Sequence, residues 1–238
     1  MNTASAPSAP GPFDAALFDM DGLLVDSEPL WRKAEIEVLA RHGVALTEDQ
    51  CRETQGKVIG EVTRMWFERY PWSGPGPEEV ALEVLDAVDV LLGTVAGAKP
   101  GALTVLDRCR ERGMRLALAS SSPHRLIDTV VDRLGLAGRF EVLHSAEYEP
   151  AGKPDPAVFV STARLLGVDV SRCVVFEDAP AGVEAAKAAG MVCVAVPEQP
   201  LSGPSPFRRA DAVIHSLEEV DDELFDRLGS GAVSRGTG

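Results

Sequence analysis

Aromatic residues, positive charge and long apolar runs are all scarce in this sequence. Aromatics are 5% of 238 residues, so a core must come mainly from Ala, Leu and Val. Lys and Arg number 23 against 37 Asp and Glu, a formal net charge of −14. Nucleic acid and anionic membranes are repelled by such a surface and are excluded as general partners. A local basic pocket for a small anion remains compatible with it. No apolar run approaches the roughly 20 residues of a membrane span. The four cysteines, Cys51, Cys109, Cys173 and Cys193, form no CxxC pair. They read as buried free thiols of a reducing cytosol, not as disulfides or metal ligands. The opening "MNTASAPSAPGP" has neither a basic end nor an apolar stretch. It is expected to be a mobile tail rather than a signal peptide, as is "GSGAVSRGTG" at the other end. A cytoplasmic monomer is expected.

Hydrophobic content is 45%, enough for one large α/β domain or a core with a smaller insert. "AALFDM" is strand-like and stops at aspartates. In "EPLWRKAEIEVLARHG", Leu30, Ala34, Val38 and Leu39 fall at helical spacing, with Pro29 in the first turn and Gly43 as the C-terminal cap. "GEVTRMWFERY" and "PEEVALEVLDAVDVLL" also read as helices, and no strand is evident before Gly97. From Lys99 the pattern alternates. "GALTVLDRCRERG" reads as helix, "MRLALASSS" strand, "PHRLIDTVVDRLGL" helix, "PAVFVSTARLLG" helix, "CVVFED" strand, "PAGVEAAKAAG" helix, "VCVAVP" strand, "DAVIH" strand and "SLEEVDDELFDRL" helix. Alternation of this kind predicts an α/β fold, a Rossmann-like, doubly wound, mostly parallel sheet with helices on both faces.

Open α/β sheets bind ligands outside the carboxyl ends of their strands. The first strand ends at Asp19, followed by Asp21; two residues apart, they share a face of an extended chain. The second ends in Ser120, Ser121 and Ser122, and the "CVVF" strand in Glu177 and Asp178. Lys153 stands alone in "AGKPDP" before a helix. Singly, each is an ordinary cap or loop residue. Together they bring acids, hydroxyls and a lysine to one edge. The histidines His42, His124, His144 and His215 are scattered and read as structural or surface residues, with His124 near the pocket mouth.

"DMDG" after a strand, Ser after the second strand, "KP" before a helix and "ED" after a later strand resemble, in order and spacing, the four motifs of the haloacid dehalogenase-like superfamily. The resemblance runs from about Phe13 to Leu228. The helical segment after the first motif resembles the cap of the β-phosphoglucomutase-like branch. "DMDGLLVDSEPLW" with "PWSGP" is most similar to its phosphatases of 2-deoxyglucose 6-phosphate and hexitol phosphates. The implied organisation is a core of residues 13–27 and 98–228, a helical cap over 28–97, and tails at 1–12 and 229–238. Val25 to Ser27 and Ala96 to Pro100 are the implied hinges.

The resemblance also implies chemistry. Mg²⁺ is held by the Asp19 carboxylate, the Asp21 carbonyl and the Asp178 carboxylate, with Glu177 behind them. Asp19 is the nucleophile and Asp21 the acid, then base. Ser120, Ser121 and Lys153 bind the phosphoryl group of a small phosphorylated substrate. Trp31, Gly56 and Lys57 are cap contacts. The mutases of the branch carry histidine where this chain has Trp31, and relatives carry arginine where it has Lys57. A second phosphate anchor is therefore missing, and hydrolysis is expected. The alternatives are a β-phosphoglucomutase-like mutase and a non-catalytic sugar-phosphate-binding protein.

Overall fold

Short apolar runs set the strands, and the first, second and fourth of them end at Asp, Ser or Glu. The computed structural model describes residues 11–54, 57–198 and 205–230. Strands β1 (Ala15–Phe18), β2 (Arg115–Ser120), β3 (Val142–Ser145), β4 (Cys173–Glu177), β5 (Val192–Ala195) and β6 (Ala212–Val213) form one sheet in the order β3-β2-β1-β4-β5-β6. Neighbours are all parallel. The chain winds outward from β1 to β3, then returns to place β4 on the other side of β1. The strand order therefore reverses between β1 and β4, where a crevice opens at their carboxyl ends.

Between β1 and β2 lie α1 (Glu28–Arg41), α2 (Glu48–Arg52), α3 (Ile59–Arg69), α4 (Pro77–Val95) and α5 (Ala102–Glu111). After β2 come α6 (His124–Arg133), α7 (Ala157–Leu166), α8 (Pro180–Ala188) and α9 (Asp222–Gly229). Residues alternate between the two faces of β1. Ala16 and Phe18 join the cluster containing α5, α6 and α9, while Ala15 and Leu17 join that of α7 and α8. The four cysteines are buried and free.

Helices α1 to α4 form an inserted bundle. Its two connections to the sheet run side by side. Val25 bridges Ala98 antiparallel, Asp26 N–H donates to Gly97 O at 3.2 Å, and Lys99 N–H donates to Leu24 O at 2.9 Å. On its far side α4 meets α6. Arg125 donates to Asp86 at 2.6 Å, Thr129 to Asp89 at 2.6 Å, and Arg133 Nε to Ala96 O at 3.1 Å.

Three features differ from the sequence reading. β3 is an edge strand that the pattern did not disclose, since only His144 and Ser145 of its four residues are fully buried. The short α2 was also unforeseen, although Thr47 and Gln50 form its capping box. The last helix begins only at Asp222, because the Asp221 carboxylate accepts from Leu224 N–H at 2.8 Å and caps it there. Residues 1–10 and 231–238 of the expected tails lie outside the described residues. At the described inner ends, Gly11 O accepts from Arg172 at 2.7 Å. Among the described residues, no helix is long and apolar enough to cross a membrane.

Candidate active site

The crevice between β1 and β4 gathers the acids. Asp19 follows β1, and its N–H donates to Phe176 O of β4 at 3.1 Å. This ties the first motif to the neighbouring strand. Asp19 is 6% exposed. Glu177 ends β4, and Asp178 follows it. One carboxylate oxygen from each of Asp19, Glu177 and Asp178 lies within 4.8 Å of the others.

Lys153 is the only cation that bonds these acids among the described residues. Its ammonium donates to Asp19 Oδ1 at 2.5 Å, Glu177 Oε1 at 2.6 Å and Ala119 O at 3.2 Å. All three of its donors are thereby used. Burial opposes its charge, yet Asp19 and Glu177 hold its pKa above the ordinary lysine value. Glu177 Oε2 accepts from Ala179 N–H at 2.8 Å, so both its oxygens are engaged. Burial, with help from Glu177 and Asp21, pushes Asp19 up against the pull of Lys153. Asp178 is also raised, by burial first and then by Glu177 and Asp19.

Asp178 makes neither a hydrogen bond nor an ion pair among the described residues. A half-buried acid beside two buried ones, with the local lysine already committed, lacks a counter-charge. The donor set is all oxygen, which suits a hard divalent cation such as Mg²⁺. The Asp21 main-chain carbonyl accepts no hydrogen bond among the described residues and could add a further oxygen. The residues present fit a metal.

Two glycines make room for the acids. Gly22 has φ +73°, a conformation that favours glycine, and a Cβ there would overlap the Asp178 carboxylate. At Gly182 a Cβ would overlap the Glu177 carboxylate.

The Asp21 carboxylate faces a different environment from Asp19. Ser122 Oγ donates to its Oδ2 at 2.6 Å, and the Trp31 indole N–H to its Oδ1 at 3.2 Å. Ser122 is held in turn, because Ser145 Oγ donates to its carbonyl at 2.7 Å and its N–H donates to Ser120 Oγ at 3.0 Å. Ser120 is buried at the end of β2, while Ser121 is exposed. Ser122 was named from sequence only as part of the serine run, and neither its bond to Asp21 nor the Trp31–Asp21 bond was foreseen. Nothing local signals a contact between α1 and the loop after β1.

Of the expected cap contacts, Trp31 reaches the site through that bond. Lys57 is exposed, with its Nζ 4.0 Å from Met65 Sδ on α3. Gly56 lies outside the described residues.

Residues 13–190 match the family model of haloacid dehalogenase-like hydrolases. The chain belongs to that family. It is 38% identical to Hexitol phosphatase B of Escherichia coli (strain K12) over 214 residues, 90% of this chain and 96% of that protein. It is 33% identical to the Phosphorylated carbohydrates phosphatase of Thermotoga maritima over 189 residues, 75% of this chain and 82% of that one. The β-phosphoglucomutase structure from Clostridium difficile superposes with a TM-score of 0.78 at 22% identity, covering 93% of this chain and 99% of that one, which shows the shared fold. This hydrolase is thus a phosphatase enzyme, and its acid-lined crevice is the place to seek its chemistry.

Proposed function

We propose that this hydrolase is a Mg²⁺-dependent phosphatase of sugar phosphates, foremost hexose and hexitol 6-phosphates, acting through an aspartyl phosphate. The observation that carries the reading is the convergence of Asp19, Lys153, Glu177 and Asp178 at the β1/β4 crevice, with Asp21 held apart by Ser122 and Trp31. The resemblance to Hexitol phosphatase B supports the substrate class.

Mg²⁺ held by Asp19, the Asp21 carbonyl and Asp178 would supply the positive charge that lets a phosphate dianion approach these acids. An Asp19 oxygen attacks phosphorus as the bond to the sugar oxygen breaks. Asp21 gives that leaving oxygen a proton. It then takes one from the water that hydrolyses the aspartyl phosphate. The division of labour follows from environment: Asp19 sits with Lys153, and Asp21 with neutral donors. Ser120, Ser121 and Lys153 bind the phosphoryl oxygens, and Glu177 orients Lys153. The inserted helices act as a cap that excludes water, moving on the paired linkers. The enzyme works as a cytoplasmic monomer.

Hydrolysis is favoured over transfer because the Trp31 N–H is committed to Asp21 and so gives a second phosphate no donor. The test measures phosphate released from a hexitol 6-phosphate. Wild type should be active with Mg²⁺ and silent in chelator. Asp19→Asn should lose at least about a thousandfold in kcat, since an amide is no nucleophile. Full turnover in chelator, or by Asp19→Asn, overturns the mechanism. Incubation with β-glucose 1-phosphate and a bisphosphate primer, followed by phosphorus NMR, separates the mutase. Glucose 6-phosphate forming faster than free phosphate would establish transfer.

A further inference from the structure

The Asp21 carboxylate is held from two sides that differ in kind. The Trp31 indole N–H, 3.2 Å from Oδ1, belongs to α1 of the inserted bundle. The Ser122 hydroxyl, 2.6 Å from Oδ2, belongs to the loop that leaves β2. If the bundle swings on its linkers, the first donor goes with it and the second stays. Whatever fixes Ser122 therefore fixes the aim of Asp21 independently of the bundle.

Ser122 lies beyond the end of β2, so no strand ladder holds it. Side chains hold its two main-chain groups instead. Its N–H donates to Ser120 Oγ at 3.0 Å, and its carbonyl accepts from Ser145 Oγ at 2.7 Å. Ser120 and Ser145 are register partners at the ends of β2 and β3, so one ladder sets both anchors. Ser120 also has a phosphoryl group to bind in the proposed mechanism. Ser145 is 0% exposed and can reach no substrate. Its oxygen accepts from Glu147 N–H at 3.1 Å and caps the turn after β3. A cap of that kind needs only the acceptor. The single hydroxyl proton is free to go elsewhere, and it goes to Ser122.

We propose that Ser145 is a positioning residue for the proton transfer at Asp21, acting through the main chain of Ser122. This rests on the phosphatase reading above, in which Asp21 protonates the leaving oxygen. Without the Ser145 bond the Ser122 carbonyl is released, and the Ser122 hydroxyl drifts from Asp21. A misplacement of about 1 Å at a reacting group can cost on the order of a hundredfold in rate. The size of the loss depends on the ester. The alkoxide of a sugar or polyol needs a proton to leave, whereas 4-nitrophenolate leaves without one. The value of kcat/KM covers only the steps up to that departure, so the later work of Asp21 as a base does not enter it.

The test compares kcat/KM for sorbitol 6-phosphate with that for 4-nitrophenyl phosphate, both with Mg²⁺, and reads the ratio of the first to the second. Ser145→Ala should lower this ratio at least tenfold. Ser145→Cys, which keeps the shape with a weaker donor, should lower it less, and Ser145→Thr, which keeps the hydroxyl, should restore it. Should the alanine variant not fold, the cysteine and threonine variants carry the same comparison. In a Ser122→Ala background, Ser145→Ala should lower the ratio no further, because the route through Ser122 is already cut. Asp21→Asn is the reference. If it lowers the ratio while Ser145→Ala and Ser145→Cys leave it unchanged, the proposal is overturned and the phosphatase reading stands. An equal loss on both esters, which marks a structural role, overturns it as well, as does a further loss in the Ser122→Ala background. An undiminished ratio in Asp21→Asn removes the acid from the mechanism, and this proposal with it.

Discussion

Glu35 is a buried carboxyl with no part in the proposed chemistry. It sits on α1, 6% exposed, and accepts a bond from the Trp66 indole N–H of α3. Burial pushes its pKa from 4.5 to about 7, against the hydrogen bonds from Trp66 and Cys51. The folded state therefore keeps a proton that the unfolded chain has lost. Its contribution to stability is greatest below pH 4.5, shrinks as the pH rises towards 7, and is constant beyond. Glu35→Gln preserves an acceptor for Trp66 and removes the ionisation. The variant should gain stability over wild type at pH 8, on the order of 2 kcal/mol, and gain little at pH 5. Urea unfolding at the two pH values measures this. An equal change at both would mean that Glu35 is not a buried acid ionising against its surroundings.

At the scale of elements, the inserted bundle touches the rest of the fold in two different ways. Its linkers are paired main chain, whereas α4 meets α6 through the Asp86–Arg125 ion pair and the Thr129–Asp89 bond. Arg125 is 43% and Asp86 68% exposed at the side chain, so that pair is worth less than about 1 kcal/mol. Arg125→Ala should leave global unfolding nearly unchanged. If the bundle swings on its linkers, the same variant should be cut sooner by limited proteolysis at residues 96–100. Identical cleavage kinetics would assign the seam no control over that motion. The elements also show what the sequence discloses. β1, β2 and β4 are apolar runs closed by polar residues, and β5 is an apolar run closed by Pro197, so both the strands and the acids beyond β1 and β4 were legible. β3 was not, since an edge strand needs only half its residues buried. Ser122 looked like a residue before a helix, because its bond to Asp21 joins positions 101 residues apart. Glu28, in the first turn of α1, was not singled out. Its burial depends on how α1 lies over the crevice, which no local pattern encodes.

For the molecule as a whole, a net charge of −14 is spread over the surface, but the acids at the β1/β4 crevice are concentrated and poorly neutralised. The two contributions respond to ions differently. General repulsion relaxes with ionic strength whatever the salt, while a cation held by Asp19 and Asp178 stabilises through binding. At a hundred times its dissociation constant such binding adds about 2.7 kcal/mol. The midpoint of thermal unfolding should therefore rise with Mg²⁺ well beyond the rise given by KCl at equal ionic strength. It should return to the lower value on chelation. Matching curves for the two salts would reduce the effect to screening and leave the acid cluster without a metal.

The two glycines under the carboxylates have a consequence for how mutations in this enzyme are read. Gly22 lies against Asp178 and Gly182 against Glu177, each at a distance that no side chain tolerates. In a screen of every single substitution, positions 22 and 182 would rank with the acids themselves, although neither carries a functional group. Alanine, the usual neutral probe, would be among the damaging replacements at both. Loss of activity would then map vacant volume as well as chemistry, and a list of inactivating positions would not be a list of reacting ones.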